Sequence, residues 1–323
     1  MPIINKVRTV FMGTPEFSVT PLETLISSDF IEVIAVICNQ DKPTGRNQVM
    51  TPPPTKVLAQ KYNIPVLQPD KIRKPEWVEK IKELNPELII VAAFGQIIPK
   101  AILDIPKYSS INIHGSLLPK LRGASPIQFA ILEGLKKTGV TIMIMDELMD
   151  HGPILSQAEI DIDTKETSET LYKKMSQLGS GLLMDTLPKW LDGSLKPTEQ
   201  NHNELTLTKI LKKEDGKIIW SNTAEKIERQ IRAFNPWPQT FCFFKDQTNQ
   251  EKRLKILDAD TIKKEALTED IYGTLISDEE KNVLIQTGEG YLKLNKVQPE
   301  GKTPMSAQEF INGYGYLIGN CLE

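Results

Sequence analysis

Apolar residues in the first third of the chain fall in short, dense runs. Residues 7–12 (VRTVFM), 31–38 (IEVIAVIC), 87–93 (ELIIVAA) and 108–114 (YSSINIH) are rich in Ile and Val, the mark of strands covered on both faces. Between them, residues 15–27, 55–62, 75–84 and 99–103 carry apolar positions at helical spacing, several opening with Pro near the first turn. This alternation predicts right-handed crossovers and an α/β fold with a Rossmann-like, doubly wound, mostly parallel sheet. Ligands of such sheets sit beyond the carboxyl ends of the strands.

Two further strands, 138–145 (TGVTIMIM) and 153–160 (PILSQAEI), precede a helix over 167–187, in which Leu171, Met175, Leu178, Leu182 and Leu183 fit a 3.6-residue period. A first domain over 1–188 closes there. Residues 189–206 are rich in Pro, Asn, Gln, Gly and charge without apolar period, as an exposed connection between domains reads. From 217 onward, short β-prone runs recur between turn residues, with one helix over 223–233. They predict a smaller second domain over 207–323, a β-barrel of OB-like type or a sandwich. Within it, Asn235-Pro236-Trp237-Pro238 is rigid and aromatic, which suits either a packed corner or a surface that meets substrate; packing is favoured, with Trp237 as the anchor.

With 323 residues, 40% of them apolar and 25% charged, the chain has room for two buried cores. A net charge of -3 carries no global basic signature, so binding to an acidic polymer would have to use a local patch. Cys38, Cys242 and Cys321 are far apart and odd in number, which predicts reduced thiols and a cytoplasmic protein. The apolar run before Gly13 is too short for a signal peptide core or a membrane span and reads as the first strand. His114, His151 and His202 lack the short spacing of a metal site, so no metal is expected. Gly13 stands without the further glycines of a dinucleotide loop, which disfavours a nicotinamide cofactor.

The segment SINIHGSLLPKLRGASP, residues 110–126, carries the most chemistry. In a strand, period two places Ile111 and Ile113 on one face and Asn112 and His114 on the other, roughly 6 to 7 Å apart. An amide there can donate to a developing oxyanion, and an imidazole can give or take a proton near neutral pH. From spacing alone, a satisfied core histidine and a strand-end turn residue explain the pair equally well. A second segment, TGVTIMIMDELMDHGPIL at 138–155, runs from an alternating strand into two acids near a Gly-Pro turn. Asp146 reads as a turn former, and Asp150 as a carboxylate able to orient His114.

HGSLLPKLRGASPI, preceded by Asn112 and followed at a distance by LMDHGPIL, closely resembles the signature of the folate-dependent formyltransferases. The resemblance extends to FMGTPEFSV at 11–19, DKPTGR at 41–46, TPPPTK at 51–56, LIIVAAFGQIIP at 88–99 and RAFNPWPQT at 232–240. It implies transfer of a formyl group from 10-formyltetrahydrofolate to an amine, and over so much of the chain it implies the members acting on the methionine of initiator methionyl-tRNA, in translation initiation. Asn112, His114 and Asp150 match the family's catalytic residues, and Ser116, Leu117, Leu118 and Pro119 its folate-contacting stretch. One departure is Asp-His-Gly at 150–152, where the family more often has Asp-Thr-Gly; His151 is read as incidental. A folate pocket also needs an apolar slot with exposed backbone, which Phe94, Gly95 and Ile97 can supply after the strand at 87–93. Plain core explains Ile97 and Ile98 at least as well.

A bulky RNA substrate needs positive charge at the mouth of the site. The loop 39–56 carries Lys42, Arg46 and Lys56 against Asp41, and the resemblance implies that it enters the acceptor stem with Arg46 as its key basic residue. Lys209, Lys212 and Lys213 offer a second basic stretch, although a charge run is usually a solvated face. The expected assembly is a monomer, with no membrane partner. Three alternatives stand beside this reading: a formyltransferase for a sugar-nucleotide amine, a formyl-folate hydrolase, and a non-catalytic RNA-binding protein on the same scaffold.

Overall fold

The Ile- and Val-rich runs become the interior strands of a seven-stranded sheet in a computed structural model that describes residues 6–45, 48–263 and 271–323. Parallel neighbours in it are β1 (Val7–Gly13), β2 (Ile31–Ile37), β5 (Val66–Leu67), β6 (Leu88–Ala92) and β7 (Ser110–His114). At one edge β9 (Lys137–Ile144) and β10 (Ile154–Asp161) add antiparallel strands, so the order is β10-β9-β7-β6-β1-β2-β5. Two short pairs accompany the sheet: a hairpin of β3 (Lys42–Thr44) with β4 (Val49–Thr51), and β8 (Arg122–Gly123) with β11 (Leu207–Thr208).

The helices α1 (Val19–Ile26), α2 (Pro54–Lys61), α3 (Pro75–Leu84) and α4 (Lys100–Leu103) alternate with the parallel strands; α5 (Pro126–Leu132) and α6 (Ser168–Leu191) follow. Pro54 and Pro75 each open a helix, where the missing N–H has no intrahelical partner to lose. Apolar residues of β1, β2 and β6 form one core with Ile81, Phe94 and Ile102. Strand order reverses at β1 and β6, so their carboxyl ends flank the crevice where such sheets take ligands.

The chain divides into two compact units. The first comprises residues up to Pro126, Lys137–Asp161 and Tyr172–Lys209; the second comprises Ile127–Lys136, Ile162–Leu171 and Ile210–Glu323. The second unit holds α7 (Ala224–Ala233), α8 (Ala307–Tyr314) and an antiparallel sheet of β12 (Thr240–Lys245), β13 (Glu251–Ile262), β14 (Leu275–Ser277), β15 (Val283–Gln286), β16 (Tyr291–Pro299) and β17 (Met305–Ser306). The strand order β12-β13-β16-β15-β14 leaves β12 and β14 as its ends, an open sheet among the described residues. The tail 319–323 bonds to both ends. Glu323 exchanges two backbone hydrogen bonds with Phe243, while Leu322 N–H donates to Gly273 and Leu275 N–H to Asn320. A separate core joins Trp220, Ile227, Phe244, Ile256, Leu292 and Phe310.

Trp237 corrects an expectation. It is 49% exposed, and Phe234 and Ala233 are the buried residues of that corner. Gln239 N–H donates to the carbonyl of Phe234, which closes a turn and leaves Trp237 on its outside.

Candidate active site

β7 is buried along its whole length, yet its two faces differ in chemistry. Ile111 and Ile113 bury apolar surface on one face; Asn112, 9% exposed, and His114 occupy the other. The Asn112 side chain has no hydrogen-bond partner among the described residues. Its amide atoms still reach solvent, so this face of β7 is open to a ligand group that completes the hydrogen bonding.

His114 has partners on both sides. Its Nε2 lies 3.1 Å from the carbonyl of Leu121 and its Nδ1 lies 3.5 Å from Asp150 Oδ1. A carbonyl only accepts, so Nε2 carries the hydrogen in this geometry. Asp150 itself is in the left-handed region at φ 51°, and its Oδ2 accepts from Gly123 N–H at 2.8 Å. Gly123 must be glycine: its φ is +111°, and a Cβ there would lie 2.6 Å from the carbonyl oxygen of Thr208.

The stretch between His114 and Gly123 is braced by its own hydrogen bonds. Ser116 Oγ donates to the carbonyl of Lys120 at 2.6 Å. Thr141 Oγ1 donates to the carbonyl of Ser116 and accepts from Leu118 N–H, and Gln157 Nε2 donates to the carbonyl of Leu118. Ser116 and Leu118 therefore face inward, and Leu117 and Pro119 are the partly exposed members. Leu121 N–H donates to Thr206 Oγ1.

Arg122 and Gln200 escape a reading of the sequence. Gln200 Nε2 donates to the carbonyls of Asp150 at 3.0 Å and Gly152 at 2.7 Å; its Oε1 accepts from Arg122 Nη2 at 2.7 Å and Nε at 3.2 Å. Arg122 stands in the quoted LRG stretch, but Gln200 lies in a polar segment whose composition reads as an exposed connection. Asp146 behaves as the turn former expected of it, accepting from Leu148 N–H, and also pairs with His151 at 2.6 Å. His151 in turn stacks on His202, with ring centroids 4.2 Å apart.

The loop after β6 leaves the sheet beside Asn112, since Val91 is in register with it. Ala93 and Gly95 take positive φ, and the carbonyl of Phe94 accepts from Thr14 Oγ1 and Asn39 Nδ2. The Phe94 ring is in the core, as is Ile98, whereas Ile97 is 85% exposed. An apolar side chain held in solvent on a braced loop is what an apolar ligand face would cover.

The basic loop forms the β3–β4 hairpin, with Lys42 exposed on it. Arg46 lies outside the described residues. The hairpin base is fixed by Lys56, which donates to Asp41 and to Gln68. The Lys56 ammonium, and after it the Gln68 amide, hold the Asp41 carboxyl below its ordinary value. Lys209, Lys212 and Lys213 are exposed. Among the described residues no group of three or more His, Cys, Asp or Glu side chains is placed to hold a metal, and no helix is long and apolar enough to cross a membrane.

Comparison with known proteins places this geometry in a family context. Residues 6–187 match the family described as formyl transferase, and residues 210–315 match the formyl transferase C-terminal domain. The chain is 45% identical to the methionyl-tRNA formyltransferase of Bacillus licheniformis, over 97% of this chain and 96% of that one. It is 44% identical to that of Bacillus pumilus, over 98% and 97%. Among solved structures, an N-formyltransferase from Helicobacter canadensis, in complex with folinic acid and dTDP-3-aminofucose, superposes with a TM-score of 0.63 at 21% identity, covering 89% of this chain and 98% of that one. HypX from Aquifex aeolicus, in complex with tetrahydrofolic acid, gives 0.62 at 16% identity over 96% and 48%. At such identities these two speak for the fold.

Proposed function

The chain belongs to the formyl transferase family, and on that premise we propose that it moves the formyl group of 10-formyltetrahydrofolate to the amino group of methionine on initiator methionyl-tRNA. The near-full-length identity to enzymes of that name supports this substrate over a sugar-nucleotide amine, whose enzymes are distant at 21% identity.

The unpartnered amide of Asn112 carries the mechanistic reading. The amine attacks the formyl carbon, the carbonyl oxygen gains charge, and the Asn112 amide donates to it with His114 beside it. The C–N bond to N10 then breaks, and the proton lost by the amine goes to N10. Asp150, whose Oδ1 lies 3.5 Å from His114 Nδ1, orients the ring. The exposed Ile97, two residues after Gly95, offers one wall for the flat pterin, and the partly exposed Leu117 and Pro119 offer further contacts after His114. Phe94 contributes through the backbone bonds that shape its loop. No step draws on a metal.

The loop 39–56, whose sequence includes Lys42 and Arg46, is assigned to the tRNA acceptor stem, and Lys209, Lys212 and Lys213 to phosphates further along it. In this reading 1–188 is the catalytic domain, 189–206 the connection and 207–323 a tRNA-binding domain. Its sheet wraps as an OB-like barrel, supported by the tail that bonds to both of its ends. The protein acts as a cytoplasmic monomer.

Formyl transfer from 10-formyltetrahydrofolate, assayed with initiator and elongator methionyl-tRNA, free methionine and an amino-sugar nucleotide, tests the substrate. Transfer to the initiator alone is expected; transfer only to the sugar or to water sinks the proposal. Asn112→Ala should lower kcat by about 10²- to 10³-fold at unchanged tRNA affinity, the loss typical of one oxyanion donor.

A further inference from the structure

Asp150 is gripped at its carboxylate and at its backbone, and both grips lead to the same dipeptide. Gly123 N–H binds the carboxylate directly. The neighbouring Arg122 guanidinium holds Gln200, whose amide holds the carbonyls of Asp150 and Gly152. The result is a closed ring of contacts running from Gly123 through Asp150 and Gln200 back to Arg122.

We propose that Gln200, clamped by Arg122, is a positioning residue that sets the Asp150 carboxylate against His114. The proposal rests on the reading of Asn112, His114 and Asp150 as the catalytic set. An amide NH₂ has two hydrogens, and two carbonyls meet them; its oxygen has two lone pairs, and two guanidinium nitrogens meet those. Turning the amide over would set oxygen against two carbonyls and NH₂ against a cation, so only one orientation survives. Gln200 and Arg122 are 5% and 4% exposed, which keeps water from replacing either partner. The guanidinium is itself steered by a third contact, to His202 Nδ1 at 2.8 Å. What the ring secures is a residue in an uncommon backbone region: Asp150 at φ 51° depends on surrounding contacts to stay there. Releasing its carbonyl frees the segment to relax and moves the carboxylate away from the imidazole.

The test compares Gln200→Ala, Gln200→Glu and Asp150→Asn by steady-state formyl transfer and by NMR of the His114 ring followed against pH. The chain has three histidines, so the His114 signals are assignable. Gln200→Glu keeps the volume and an acceptor for Arg122 but loses both donors, and it carries the comparison if Gln200→Ala does not fold. The expected result is a fall in kcat of about 10²-fold, the scale of a 1 Å misplacement. KM for both substrates should stay within about twofold, because no ground-state contact is lost. The His114 titration curve should move toward that of Asp150→Asn. Unchanged kcat, or a fall in kcat with the wild-type His114 titration, overturns the proposal. If Asp150→Asn itself changes neither kcat nor the titration, the catalytic reading falls and this one with it. If Asp150→Asn changes both and the Gln200 variants change neither, the positioning role alone falls.

Discussion

Cys38, Cys242 and Cys321 occupy unlike surroundings, and their reactivity follows from that. Burial pushes the Cys38 thiol up to about 11, against a hydrogen bond from Thr55 that lowers it, and pushes Cys242 higher still. Cys321 is exposed as a residue, although partial burial of its thiol raises it too. The thiolate is the nucleophile, so a raised value leaves almost none at pH 8. Iodoacetamide at that pH should modify Cys321 slowly and leave Cys38 and Cys242 untouched until the chain is unfolded, as peptide mass spectrometry would show. Native labelling of Cys38 at the rate of the unfolded chain would contradict the burial described. Residue by residue, the sequence is readable where local backbone decides the outcome. Asn112 and His114 share a face because strands alternate, and period two says so without further information. Arg122 and Gln200 meet across 78 positions, and nothing near either residue announces the other. Ile97 and Ile98 differ in exposure because a loop has no period from which a face could be read.

Elements were legible in proportion to their regularity. Strands β1, β2, β6 and β7 and helices α2, α3 and α4 appear within a residue or two of the expected bounds, since dense Ile and Val runs and Pro-led helices leave little ambiguity; α1 begins four residues later than expected, and the two-residue β5 is too short to show as a run. The loop 39–56 instead contains a hairpin, whose three-residue strands are too short to carry an alternation. Helix α6 makes a sharper case. Its Gly179 sits where a Cβ would lie 2.9 Å from Ile113 Cγ2 and 3.2 Å from Val140 Cγ1, so the helix backbone rests directly on β7 and β9. Gly179→Val should therefore push on the strand that carries Asn112 and His114. A destabilisation of about 1–3 kcal/mol, the range for overpacking, is expected in urea unfolding, with a loss of formyl transfer in protein that remains folded. A gain in stability, as helix propensity alone would give, would show that the contact is not tight.

At the scale of the whole chain, the units do not follow a single cut in the sequence. Residues 127–136 and 162–171 belong with the second unit. The Ser168 hydroxyl donates to the carbonyl of Ala233, Arg232 Nη1 donates to the carbonyl of Glu166, and Lys165 pairs with Asp260. Composition along the chain cannot reveal this, because the partners of Glu166 and Ser168 lie 66 and 65 positions away. A fragment of residues 207–323 lacks these partners. At about 1 kcal/mol for each lost hydrogen bond, and about 4–8 °C per kcal/mol in a domain of this size, its thermal midpoint should fall at least several degrees below that of the second unit in the full chain, measured by circular dichroism. A cooperative melt at or above the full-chain value would show that the two segments add nothing.

The tail 319–323 has a meaning for the behaviour of many molecules together. An open antiparallel sheet offers, at each outer strand, a row of bare backbone groups that a neighbouring molecule can extend. Here a single short segment pairs with β12 on one side and lines β14 on the other. The chain thereby occupies with its own backbone the positions from which fibrillar stacking would start.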